Sequence, residues 1–113
     1  MLAEYSTAER TIRIKKNVPN MYDLYFSISH EMRHVWQHKY FADEYFTEYK
    51  TPGECSDKTE YNLQPAEIDA NAYAFLVMYC TFGMVPQFNG MDMCVINRIH
   101  ERAFEIDSDG DDW

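Results

Sequence analysis

His30-Glu31-Met32-Arg33-His34 is the stretch on which the reading of this chain turns. An α-helix advances 3.6 residues per turn, so residues four apart lie one above the other on one face. Read as a helix, His30 and His34 aim two imidazole nitrogens at one point. Glu31 lies beside them, close enough to reach a water at that point but badly placed to be a further ligand. Two histidines that hold a metal and a carboxylate that takes a proton from water are what metal-assisted hydrolysis requires, and zinc is the ion that suits such ligands. The competing reading is a surface helix carrying unrelated histidines.

The helix around this stretch is expected over residues 21–41. Asn20 serves as its N-cap, and Asp23 favours the positive end of the helix dipole. Residues at 100° intervals separate two faces. Met21, Leu24, Tyr25, Ile28, Met32, Val35 and Trp36 form the stripe expected to face the core. His30, Glu31, His34 and His38 fall on roughly the opposite side with Phe26 and Ser27. Before this helix, Thr11-Ile12-Arg13-Ile14-Lys15 alternates apolar and charged, which predicts a half-buried strand over about 9–16. Residues 5–7 are a candidate pairing arm, and Asn17-Val18-Pro19-Asn20 ends the strand.

After it, residues 42–62 hold no sustained period. Residues 42–49 are a candidate extension of the helix, and Thr51-Pro52-Gly53 must turn the chain. The aromatics Tyr40, Phe41, Tyr45, Phe46 and Tyr49 read as packing under a loop, with a lip over a groove as the functional alternative. Pro65 opens a second helix, expected over 65–82 and ended by Gly83. Glu67, Ala70, Asn71 and Ala74 share one of its faces. The alanines at 66, 70, 72 and 74 keep its first half slim, so a neighbouring backbone can come close. Phe75, Leu76, Met78, Tyr79 and Phe82 are expected to pack its second half into the core. A third helix is expected over 91–104, with Val95, Ile96, Ile99 and Ala103 as its apolar side. Residues 105–113 read as an acidic, disordered tail. Asp107-Ser108-Asp109-Gly110-Asp111-Asp112 lacks the glycine position and the final glutamate of a calcium loop.

A catalytic zinc site takes three protein ligands and keeps one position open. Glu67, Asp69, His38 and His100 are the candidates for the third. Ligands at 30, 34 and 38 on one straight helix would form a row of about 12 Å, too long to converge on one ion. His100 has nothing around it that marks it. Glu67-Ile68-Asp69-Ala70-Asn71 is the better signal. It opens a helix, and Asn71 stands one turn beyond Glu67, where its amide can orient a zinc histidine. Asp69 points away from that face.

His30-Glu31-Met32-Arg33-His34 followed by Glu67-Ile68-Asp69-Ala70-Asn71-Ala72-Tyr73-Ala74 resembles the gluzincin-type zinc metallopeptidases, and most closely the ImmA/IrrE-like group. The resemblance implies a zincin-like domain, zinc held by His30, His34 and Glu67, and Glu31 as catalytic base. It also implies a protein or peptide substrate, often a regulatory protein such as a repressor. The chain departs from the pattern at Arg33, where the family usually carries glycine, and in the segment after Ala74.

Composition bounds the remaining classes. The 113 residues are 46% hydrophobic and 16% aromatic, enough for one packed domain, expected over 1–104. A net charge of −9 opposes binding to nucleic acid or to an anionic membrane surface and suits a basic protein substrate. No apolar run is long enough to span a bilayer, and the first twenty residues contain no secretory h-region. Cys55, Cys80 and Cys94 are odd in number and widely spaced, which predicts reduced thiols in a cytoplasm, with Cys80 and Cys94 as small core residues. The expected fold is α+β: a short N-terminal β-element, two long helices flanking the metal and a third C-terminal helix. The expected activity is zinc-dependent peptide-bond hydrolysis. Tyr61, His38 and His100 are the candidates for stabilising the oxyanion. A catalytically silent zincin-fold binding protein and a metal-free helical interaction protein are the alternatives.

Overall fold

The computed structural model describes residues 3–6, 8–9, 11–14 and 20–109. Within them the fold is α+β and mostly helical, a two-stranded antiparallel sheet with five α-helices. The strands β1 (Ala3–Ser6) and β2 (Thr11–Ile14) pair with Ala3 opposite Ile14 and Ser6 opposite Thr11. The strand is shorter than its alternation predicted. Glu9 belongs to the turn, and residues 15–19, where the strand was expected to end and break, lie outside the described residues.

Helix α1 (Met21–Tyr40) begins where Asn20 Oδ1 accepts the Tyr22 N–H at 2.8 Å. It stops at Phe41, which leaves helical geometry (φ −141°, ψ 38°) and packs on Trp36 with ring centroids 4.9 Å apart. The expected continuation is therefore a separate short helix, α2 (Ala42–Phe46). A 3₁₀ turn at Pro52–Glu54 follows, and then α3 (Lys58–Asn62), capped by the Asp57 side chain. Helix α4 (Pro65–Phe82) starts on Pro65 and is closed by Gly83 at φ 65°, a left-handed conformation that costs glycine little. Helix α5 (Met93–Asp109) completes the chain.

Three expectations are corrected by the packing. The buried residues of α1 are Ser27, Ser29, His30, Glu31, Arg33, His34 and Gln37. Met21, Tyr25 and Met32, assigned to the core stripe, are exposed, and Leu24, Ile28, Val35 and Trp36 are only half-buried. The cause lies on α4, which meets α1 with Glu67, Asp69 and Asn71 set among alanines. Those groups satisfy the polar face of α1, so that face turns inward.

The second correction concerns the tail. Helix α5 continues through residues 105–109, because Ile106 extends the stripe of Val95, Ile99 and Ala103 and is fully buried (0% exposed). Residues 110–113 lie outside the described residues. The third concerns the ends of the second core. Tyr79, Cys80, Phe82 and Cys94 are exposed, while Leu76 and Met78 are buried. The apolar core itself sits between α4 and α5, where Ile68, Ala72 and Leu76 meet Val95, Ile99, Ala103 and Ile106. Among the described residues no helix is long and apolar enough to cross a membrane.

Candidate metal centre

The site lies where α1 crosses the first turns of α4. One helical turn separates His30 from His34, and their rings meet edge to face with centroids 4.7 Å apart. Their Nε2 atoms are 3.1 Å apart. Glu67 enters from α4, with Oε1 3.2 Å from His30 Nε2 and Oε2 3.1 Å from His34 Nε2. The slim, alanine-rich start of α4 lets this short carboxylate reach across. All three residues are buried. Ligands at 2.0–2.1 Å from a tetrahedral zinc ion stand about 3.3 Å from one another, so a spacing of this size fits such an ion, as does a donor set of two imidazoles and a carboxylate.

Glu31 lies on the rim of this group, with Oε2 3.5 Å from His30 Nε2. Its other oxygen accepts the backbone N–H of Tyr5 in β1 at 2.7 Å. The strand therefore has a role in the site, which no side-chain pattern in β1 announced. Burial raises the Glu31 carboxyl above the usual carboxylate range, and the charges of His30 and His34 and the Tyr5 N–H only partly offset it. Burial also pushes Glu67 upward, but hydrogen bonds from His30 and His34 outweigh it and hold that carboxyl far below its ordinary value. Two neighbouring carboxylates are thus driven apart, one toward taking up protons and one toward remaining an anion. His34 is raised against its burial by the hydrogen bond and charge of Glu67.

Around this group the polar atoms are paired in succession. Asn71 Oδ1 meets His30 Nδ1 at 2.7 Å, the orienting contact expected from its place one turn beyond Glu67. Gln37 Oε1 meets His34 Nδ1 at 2.8 Å. Asp69 points away from the ligands, as its rotation on the helix predicted. It accepts two hydrogen bonds from Arg33, at 2.7 and 3.1 Å, one from Gln37 at 2.8 Å and one from Arg102 of α5 at 2.7 Å. The Arg33 guanidinium lies 3.8 Å from the Trp36 ring centroid.

The site opens into a cleft of about 800 Å³ bounded by β1, Phe26, Phe46, Phe88 and Met91. His38 lines this cleft, its ring stacked on Phe46 at 3.6 Å, and does not join the ligand group. Burial and the nearby His34 lower its pKa. His100 is exposed on α5, against Phe75, and does not line the cleft. Tyr61 does face the cleft, and its hydroxyl is 2.8 Å from that of Tyr49, which donates to Glu67 Oε2 at 2.7 Å. Burial, followed by the charge of Glu67, pushes Tyr61 up to about 12 and Tyr49 higher still.

The sequence reading named Tyr49 only among the aromatics of a loop or groove lip, and it did not single out Gln37 or Arg102. Arg33 and Gln37 carried a usable signal, since both lie on the histidine side of α1 four residues apart. The bond from Tyr49 to Glu67 carried none, because it depends on the irregular path of residues 47–57. No family model, curated protein or solved structure matches the chain.

Proposed function

We propose that this chain is a zinc-dependent endopeptidase of the zincin type, akin to the ImmA/IrrE-like group. The observation that carries the reading is the convergence of His30 Nε2, His34 Nε2 and the Glu67 carboxylate at the floor of a cleft, with Glu31 alongside. His30, His34 and Glu67 would hold the ion. When bound, zinc supplies Lewis acidity, making water more acidic and a carbonyl carbon more electrophilic. Glu31 takes the proton of the attacking water and delivers it to the leaving amine. Its raised affinity for protons suits that exchange, and the Tyr5 N–H keeps its carboxylate turned toward His30. Tyr61 faces the cleft with its hydroxyl protonated at neutral pH; turned from Tyr49 toward a substrate, that hydroxyl is the donor assigned to the developing oxyanion. His100 does not line the cleft and is not assigned that task.

The substrate class is an extended peptide or protein segment, with a regulatory protein as the proposed natural target. The apolar walls at Phe26, Phe46 and Phe88 suit uncharged side chains, and the net charge of −9 favours a basic partner over nucleic acid. Free Cys55, Cys80 and Cys94 suit a reducing cytoplasm. The test is digestion of a peptide library by zinc-loaded wild type and Glu31→Gln, read by mass spectrometry. Wild type is expected to cleave, and Glu31→Gln to keep zinc while losing about 10²–10⁴ in rate. His34→Ala is expected to lose both metal and cleavage. Full activity in Glu31→Gln would remove the glutamate from its role. A zinc-loaded wild type that leaves every peptide intact would replace the peptidase with a binding protein of the same fold.

A further inference from the structure

Gln37 is fully buried at the foot of the metal centre and does not line the cleft. An amide side chain has one end that accepts and one that donates, and its neighbours decide which end faces which way. For Gln37 they leave no choice. Its Nε2 donates to the backbone oxygen of Ala66 at 3.0 Å and to Asp69 Oδ2 at 2.8 Å. A carbonyl and a carboxylate only accept. Turning the amide over would set its oxygen against both. The Gln37 carbonyl oxygen must therefore face His34 Nδ1, at 2.8 Å. Because that oxygen can only accept, Nδ1 carries a proton. The other nitrogen, Nε2, is the one aimed at the candidate metal position; in the metal-free chain it can donate to Glu67 Oε2 at 3.1 Å, and a bound ion would take that proton's place.

Asp69 is held in place in turn by the two bonds from Arg33 and the one from Arg102. The line Arg102–Asp69–Gln37–His34 thus runs from α5 across α4 to the ligand on α1. We propose that Gln37, anchored by Asp69, is a positioning residue that selects the metal-binding tautomer of His34, as Asn71 orients His30 from the opposite side. The affinity part of this proposal rests on the zinc-centre reading; the tautomer part does not.

The experiment is nitrogen-15 NMR of histidine in the full-length chain, at a pH above the imidazole range, before and after addition of zinc. Gln37→Leu, of similar volume and without polar atoms, is compared with wild type. Metal-free wild type is expected to show His34 with a proton on Nδ1. Gln37→Leu is expected to lose the Nδ1 proton of His34 in favour of Nε2, which faces Glu67, and to leave His30 unchanged. Its zinc dissociation constant should rise about 10–100-fold, the usual cost of losing such a partner. A role in packing alone would lower the melting temperature and move neither reading. Wild-type His34 protonated on Nε2 alone would overturn the proposal, and so would a folded Gln37→Leu with wild-type tautomer and affinity. If Gln37→Leu does not fold, the wild-type tautomer still decides. If the chain takes up no zinc, the peptidase reading fails while the metal-free tautomer continues to test the positioning claim.

Discussion

Helix α4 presents two unlike faces. Toward α5 it offers Ile68, Ala72 and Leu76, which meet Val95, Ile99, Ala103 and Ile106. Toward α1 it offers Glu67, Asp69 and Asn71, which meet His30, Arg33, His34 and Gln37. The first interface is non-directional and stabilises in proportion to the apolar area it removes from water. The second gains little net stability, since desolvating charged groups costs about as much as pairing them returns. It supplies direction instead: each polar atom has a partner at a set distance, and the ligand atoms end up aimed at one point. Stability and the arrangement of the candidate site are therefore carried by opposite sides of one helix.

The largest effect is expected where that division is broken on the polar side. Arg33 is 2% exposed, so Asp69→Ala leaves its guanidinium buried without a counter-charge and should cost about 3–5 kcal/mol in urea denaturation. A cost under about 1 kcal/mol would mean that water reaches Arg33 and that the interface is not a closed network. On the apolar side, Ile99→Ala should cost about 2–5 kcal/mol by the same measurement. The zinc affinity of the folded variant should nonetheless equal that of wild type. A matching drop in affinity would show that the two faces of α4 are not separable.

Acid sharpens the same contrast. Burial raises the Asp69 carboxyl, but the hydrogen bonds and charge of Arg33 more than reverse this and set its pKa below the ordinary value. A carboxylate of this kind stabilises the fold above its unfolded pKa of about 4 and loses that contribution as pH falls through the folded value. The urea midpoint of wild type should fall in that acid window. Asp69→Leu combined with Arg33→Met, which removes both charges, should lessen the dependence and leave the part carried by Glu67, which is also held below its ordinary value; an equally steep fall would assign all of it to Glu67 and other carboxyls. The smallest effect is expected at Met32, which is 52% exposed. Met32→Ser should change stability by no more than about 0.5 kcal/mol. A loss of several kcal/mol would restore Met32 to the core.

These contrasts mark what was legible in the residues. Helix ends were readable because their signals are local: Asn20 caps α1, Pro65 opens α4 and Gly83 closes it. The coming together of His30, His34 and Glu67 was readable because spacing on a helix fixes direction, and Glu67 and Asn71 stood out as a pair one turn apart. The inward face of α1 was not. Periodicity treats polar residues as solvent-facing, and only the groups on α4 reveal that Arg33, His34 and Gln37 are satisfied indoors. Ile106 was hidden among acidic residues, although its spacing from Ile99 and Ala103 continued the stripe. The role of Tyr49 depended on a chain path that no local pattern encodes.

The central claim is that His30, His34 and Glu67 form a zinc site. Metal analysis by mass spectrometry of purified wild type and Glu67→Ala, each before and after equilibration with zinc, tests it most directly. About one zinc ion per wild-type chain, lost or weakened in Glu67→Ala, is the predicted result. Wild type that carries no metal as purified and takes up none when zinc is added would contradict it and leave the buried histidines as a structural ion-paired cluster.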